Sequence, residues 1–217
     1  MHVGDKGSAE PHGWSPDGKS VVVLRSLGES SRQIAVISIA DGSVRVLKDN
    51  VRTGGDATFS PDGRYVAYHA QSGTGTAVNR DIFVVTMDGR ETRIAEAPGD
   101  DRSPMWSPDG SHIVFVSDRT GSLSLWMIPF AGGASTGPAR LVRANVASGA
   151  TSGLSSPQRG PFIPLGITRS GALYYVAGSG TTDVYMADLD ANLKIARDPS
   201  IATQSVHQRE PRRGVVS

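Results

Sequence analysis

Apolar residues fall in short runs along this chain, about four at a time, separated by polar stretches rich in glycine and proline. Val21-Val22-Val23-Leu24, Tyr65-Val66-Ala67-Tyr68, Ile113-Val114-Phe115-Val116 and Leu173-Tyr174-Tyr175-Val176 each begin two or three residues after a glycine. A polar loop follows, and then a second run: Ile34-Ala35-Val36-Ile37, Ile82-Phe83-Val84-Val85, Leu125-Trp126-Met127-Ile128 and Val184-Tyr185-Met186-Ala187. Such runs are too short for helices and rich in β-branched and aromatic residues, so they predict strands. Asp41-Gly42, Asp88-Gly89 and Gly132-Gly133 come next and have the composition of tight hairpins. Weaker strands are expected after them, near 44–47, 92–95 and 140–142, with a fourth near 193–195.

The pattern repeats as a unit. Trp14-Ser15-Pro16-Asp17-Gly18 returns as Phe59-Ser60-Pro61-Asp62-Gly63 and as Trp106-Ser107-Pro108-Asp109-Gly110, at intervals of 45 and 47 residues. A degenerate copy, Ile167-Thr168-Arg169-Ser170-Gly171, follows 61 residues later and keeps only the apolar anchor and the glycine. Ser, Pro, Asp and Gly in that order suit a type I turn, because Pro presets φ and Gly accepts positive φ where the next strand starts. Trp14, Phe59 and Trp106 are expected to anchor these turns in the core. A short apolar piece leads into each turn, giving four antiparallel strands in about 45 residues, the unit of a β-propeller blade. Nearly continuous apolar runs require both faces of each small sheet to be covered, as stacked blades do.

The motif, its following strand, and then Ser117-Asp118-Arg119-Thr120-Gly121 and Leu125-Trp126-Met127-Ile128 resemble the WD40-like repeats of TolB-type propellers. Prolyl-oligopeptidase-type peptidases and some bacterial sensor proteins carry similar propellers. The resemblance covers roughly residues 10–195. It implies a module that binds a protein or peptide through loops on one face, in the periplasm. The alternative it leaves open is an accessory or gating propeller of a larger enzyme, such as a prolyl-oligopeptidase-like serine peptidase with its catalytic domain elsewhere. The expected layout is a lead-in over 1–9 and a propeller over 10–198. Blades are expected near 10–50, 51–98, 99–145 and 160–198, with an insertion at 146–159. The basic, aperiodic residues 199–217 read as a disordered tail. Propellers of this family usually have six or more blades, and four is the low end for closed ones. The expectation is therefore a partial propeller that belongs to a longer protein or pairs with another chain, self-associating through its open edges.

Composition narrows the function further. With 22 basic and 21 acidic side chains there is no bulk field to suit nucleic acid, and no apolar run approaches the ~18 residues that span a bilayer. Neither a nucleic-acid partner nor membrane insertion is expected. Cysteine is absent, which removes thiolate chemistry and disulfides. "GWSPDGKS" at 13–20 matches the phosphate-loop pattern, but Pro16 removes a cradle donor and 20–24 is a strand former where a helix should start. Gly133-Ala134-Ser135-Thr136-Gly137 spells G-x-S-x-G, yet Pro138 follows at once and the match falls in a hairpin position, not a strand-to-helix elbow. His2, His12, His69, His112 and His207 form no metal-ligand spacing. No catalytic residue, cofactor or metal is expected.

The candidates that remain are loops. In a propeller, the loops joining blades and those between second and third strands open on one side, around the central channel. Here they carry Arg52, Asp100, Asp101, Arg102, Asp118, Arg119 and, in the insertion, Arg159. Charge of mixed sign with few aromatics suits a polar protein or peptide. Asp118 and Arg119 have a second reading as turn formers.

Overall fold

The computed structural model describes residues 7–27, 32–52, 54–72, 79–146, 162–178, 182–188 and 200–201. Every regular element among them is a β-strand, and the strands form four antiparallel sheets in chain order. Blade 1 contains β1 (Gly7–Trp14), β2 (Ser20–Leu27), β3 (Arg32–Ser38) and β4 (Val44–Lys48). Blade 2 contains β5 (Gly55–Phe59), β6 (Tyr65–Gln71), β7 (Arg80–Thr86) and β8 (Glu91–Ala95). Blade 3 contains β9 (Asp101–Trp106), β10 (His112–Ser117) and β11 (Ser124–Ala131), with β12 (Ala134–Ser135) and β13 (Arg140–Arg143) both pairing with β11. Blade 4 contains β14 (Phe162–Ile167), β15 (Ala172–Gly178), β16 (Thr182–Asp188) and β17 (Ser200–Ile201). The blades make an open, partial propeller, as the sequence predicts. The outer strand expected near 193–195 lies outside the described residues; Ser200 and Ile201, assigned by sequence to the tail, pair with Met186 and Tyr185 instead.

Alternate residues of each central strand face opposite neighbours, so three apolar layers alternate with the sheets. Val22, Leu24, Ile34 and Val36 of blade 1 meet Phe59, Val66, Tyr68 and Val85 of blade 2. The opposite face of blade 2, with Ala67, Ile82 and Val84, meets Trp106, Ile113, Phe115 and Ile128 of blade 3. Blade 3 in turn presents Val114, Val116, Leu125 and Met127 to Leu173 and Tyr175 of blade 4. Burying one such side chain is worth about 1.5–3 kcal/mol, so these layers carry most of the stability.

The motif turns are built alike. Ser15, Ser60 and Ser107 each donate a 2.6 Å hydrogen bond from Oγ to the Asp two residues on. The same Oγ accepts a backbone N–H from the residue five ahead at 2.9–3.0 Å. Gly18, Gly63 and Gly110 follow at φ of 70° to 71°, where a Cβ would be strained. The degenerate fourth turn keeps these bonds with other residues: Thr168 Oγ1 takes the Ser role toward Ala172 N at 3.0 Å, and Ser170 takes the Asp position, 2.8 Å away. Adjacent turns also touch. A Cβ on Gly63 would stand 3.6 Å from Pro16 Cδ, and one on Gly110 3.6 Å from Pro61 Cδ.

Lys19 and Ser20 lie at the entry to β2, so the phosphate-loop match is the first of these turns. Ser135 lies in β12, paired with Phe130 across a hairpin whose loop is Gly132-Gly133. One expectation fails. Phe59 and Trp106 are 8% and 7% exposed, but Trp14 is 62% exposed. Each anchor packs on the blade before its own, and among the described residues no blade precedes blade 1.

Candidate functional site at the blade junctions and central channel

The innermost strands β1, β5, β9 and β14 line the channel, and all four carry a break in register just before the anchor residue. Register shifts occur between Pro11 and Gly13, between Gly55 and Thr58, opposite Val114 and Val116, and between Pro164 and Gly166. A bulge re-aims side chains that regular pleating would send into the blade layers. In blades 2 and 3 it leaves Asp56 and Ser103 at φ of 46° and 53°, positive values that non-glycine residues seldom adopt. The two meet: Ser103 Oγ donates to Asp56 Oδ2 at 2.8 Å. Behind them His69, buried on β6, accepts the Ser103 backbone N–H at Nδ1 at 3.3 Å. Burial holds the imidazole neutral, pulling its pKa down to about 4 against the opposing pull of Asp56. Asp56 and Ser103 border a cavity of about 460 Å³ that also reaches His12, Trp14, Trp106 and Arg169.

A network of ion pairs crosses the junction of blades 2 and 3. Arg80 on β7 grips Asp100 in a two-pronged contact, 2.7 Å from Nε to Oδ1 and 2.5 Å from Nη2 to Oδ2. The Asp100 backbone N–H donates to Asp118 Oδ1 at 2.8 Å, tying the blade-joining loop to the loop between β10 and β11. Arg119 reaches Asp101 with Nη2 at 2.9 and 2.7 Å, while its guanidinium lies 5.1 Å and 4.9 Å from the ring centres of Phe115 and Trp126. Asp101 is completely buried. Burial pushes its carboxyl pKa up, opposed by hydrogen bonds from Ser117 and Arg119. Gly99 permits this approach, because a Cβ there would stand 2.5 Å from Arg119 N. Arg93 forms a similar pair with the fully buried Asp81.

The structure thus joins Asp100, Asp101, Asp118 and Arg119 in one region and satisfies Asp101 and Arg119 through each other. Arg102 stands beside them on β9, half-buried, with Asp100, Asp118 and Asp56 as its neighbouring carboxylates. Burial pulls its pKa below the ordinary guanidinium value. No ion pair or hydrogen bond of its side chain is found among the described residues. Arg52 is exposed in the connection from blade 1 to blade 2, where its carbonyl accepts the Gln71 N–H at 2.8 Å. Arg159 lies outside the described residues, as does the insertion beyond Val146. Sequence reasoning missed Arg80, Asp56, Ser103 and His69. Aligning the repeats on their anchors would have placed Pro11, Asp56, Ser103 and Pro164 at one position, the only sequence signal of the bulges. Among the described residues no cluster of His or carboxylates has a metal-binding arrangement.

A propeller fold hosts many functions and does not by itself define one. The TolB beta propeller domain model matches residues 14–152, and the chain belongs to that family. It is 31% identical to the Tol-Pal system protein TolB of Bordetella pertussis over 122 residues, 55% of this chain and 27% of that one. Its structure superposes on TolB from Acinetobacter baumannii with a TM-score of 0.63 at 22% identity, covering 92% of this chain and 44% of the other. A puromycin-hydrolyzing peptidase of Mycobacterium tuberculosis shares the fold at a TM-score of 0.54 and 17% identity, over 91% of this chain and 31% of that one. The matches span only 19% to 39% of the length of three curated relatives. No helix among the described residues is long and apolar enough to cross a membrane.

Proposed function

We propose that this chain is a non-catalytic, TolB-like propeller module of the periplasm that binds a protein or peptide across its blade-joining loops. The observation that carries the reading is Arg102. Arg80, Arg93 and Arg119 are each bonded directly to a carboxylate, whereas the Arg102 guanidinium makes no such bond among the described residues although Asp100, Asp118 and Asp56 lie near it. Asp118 lies beside it, the Asp101–Arg119 pair ties down the blade 3 loops around it, and Arg52 adds an exposed charge on the connection from blade 1 to blade 2. Two curated relatives named as Tol-Pal system proteins support a partner from that system.

The test is a calorimetric titration with the Pal component of the host's Tol-Pal system. Binding that Arg102→Ala weakens about tenfold or more, as loss of a desolvated interface arginine does, is the expected outcome. Arg64→Ala, on the opposite face, should bind as the parent does. Absence of binding, or equal loss in both variants, refutes the assignment.

A further inference from the structure

The turn end of the channel holds a second polar site. Pro16, Pro61 and Pro108 occupy the third position of their motif turns, and Arg169 takes that position in the fourth. All four border the same cavity of about 460 Å³, so three pyrrolidine rings and one guanidinium frame its mouth. Arg169 is exposed there and forms no ion pair or hydrogen bond among the described residues. Deeper in, the inner-strand bulges bring His12, Asp56 and Ser103 to that cavity. The Asp56 side chain accepts the Ser103 hydroxyl, stays 53% exposed, and bonds neither Arg80 nor Arg102, the cations near it. His12 Nε2 is buried with no hydrogen-bond partner among the described residues. Leaving a buried polar atom unbonded is unfavourable, so it points to a ligand group.

The dimensions limit what fits. Asp56 lies three residues before its anchor Phe59, and Arg169 two after its anchor Ile167. Five strand steps of about 3.3 Å put about 16 Å between their levels in the channel. Both side chains border the cavity and occupy part of that height, leaving the roughly 10 Å that three extended residues span. Met105 and Ile167 give the cavity an apolar wall.

We propose that this cavity binds a short zwitterionic peptide of about three residues, its α-ammonium at Asp56 and its terminal carboxylate at Arg169. Opposite charges at the two ends select a ligand that carries both, because a plain anion would face Asp56 and a plain cation Arg169. Ser103 and His12, at the level of Asp56, offer hydrogen bonds to the first peptide group. The site opens on the turn side of the propeller and does not rest on the partner reading above, which concerns the blade-joining loops.

Calorimetric titration with trialanine provides the test. The expected Kd lies below about 1 mM. Free alanine, too short to reach both charges, should bind about tenfold or more weakly. N-acetyl-trialanine and trialanine amide should each weaken by about tenfold or more, since each loses one charge-assisted contact. Asp56→Asn keeps an acceptor for Ser103 and tolerates the positive φ. It should weaken trialanine about tenfold while binding N-acetyl-trialanine as the parent does. Arg169→Ala should do the same for trialanine against its amide. These crossed losses report the charge contacts rather than folding, and far-ultraviolet dichroism should be unchanged in both variants. If Asp56→Asn loses its dichroism, Arg169→Ala carries the test alone. Trialanine that fails to bind below about 1 mM overturns the proposal. So do blocked peptides or free alanine that bind as tightly, or variants that lose all three peptides equally.

Discussion

Trp106 and Trp14 occupy the same place in two repeats and live in opposite surroundings. Trp106 lies between blades, edge-on to Phe130 at 4.9 Å, and donates Nε1–H to the carbonyl of Thr58 at 3.2 Å. Trp14 has the same turn behind it and the same cross-strand neighbour type, yet faces outward. Local sequence therefore fixes the turn and the direction of the side chain. Whether that direction is the interior depends on the next blade, which local sequence does not supply.

The sharpest way to break this comparison is to truncate both rings. Trp106→Ala should cost about 3–5 kcal/mol in urea unfolding, as large aromatic deletions from a packed layer do. Equal losses for Trp14→Ala in dilute solution would abolish the distinction. Next in size is the buried pair of blade 3. Arg119→Ala leaves the buried Asp101 without its cation, with only Ser117 still bonding it, and should cost about 3 kcal/mol. The exposed Arg64–Asp62 pair, 2.7 Å apart, should by contrast lose under about 1 kcal/mol on Arg64→Ala.

The same junction should also respond to acid. His69 has a folded pKa of about 4, below the ordinary imidazole value of 6.5, so the unfolded chain takes up a proton first on acidification. Stability is full above about 6.5 and falls as the pH drops toward 4, where the loss levels off. Thermal melts across that window should show the decline, and His69→Gln should flatten it. A smaller effect belongs to the turns. Asp109→Ala removes bonds to Ser107 and Ser111 and should cost about 1 kcal/mol, more than Asp17→Ala in the exposed turn of blade 1. Asp109 titrates at about 2 because Ser107 and Ser111 donate to it, so its contribution is present above pH 4 and fades as the pH falls toward 2. Smallest of all is Trp14→Ala in dilute solution, within about 0.5 kcal/mol of the parent, as for a surface position.

The blades were legible because their determinants are local: a β-rich run, a turn whose Ser and Asp bond each other, and a glycine at positive φ. The fourth turn looked lost because Thr168 and Ser170 replace Ser and Asp by chemistry rather than by letter. The candidate charges were legible as loop residues, but their pairing was not. Asp101 and Arg119 are 18 residues apart in sequence and meet only because β9 lies beside β10 and Gly99 lets the two loops close. Asp56 and Ser103 gave no composition signal, since their positive φ comes from the inner-strand bulges and not from glycine.

The stacking of a turn's proline beneath the next turn's glycine, between blades 1 and 2 and between blades 2 and 3, has a consequence for growth of the fold. At both junctions the distance is the same 3.6 Å, from Pro16 to the Gly63 position and from Pro61 to the Gly110 position. The tread of this spiral stair is thus cut at its inner newel, where one ring meets one missing side chain. Duplicating a repeat adds a step of equal pitch without altering those before it. A methyl group at Gly63 would rest on the Pro16 ring at ordinary contact distance, so what glycine supplies at this step is its positive φ rather than room for the next blade.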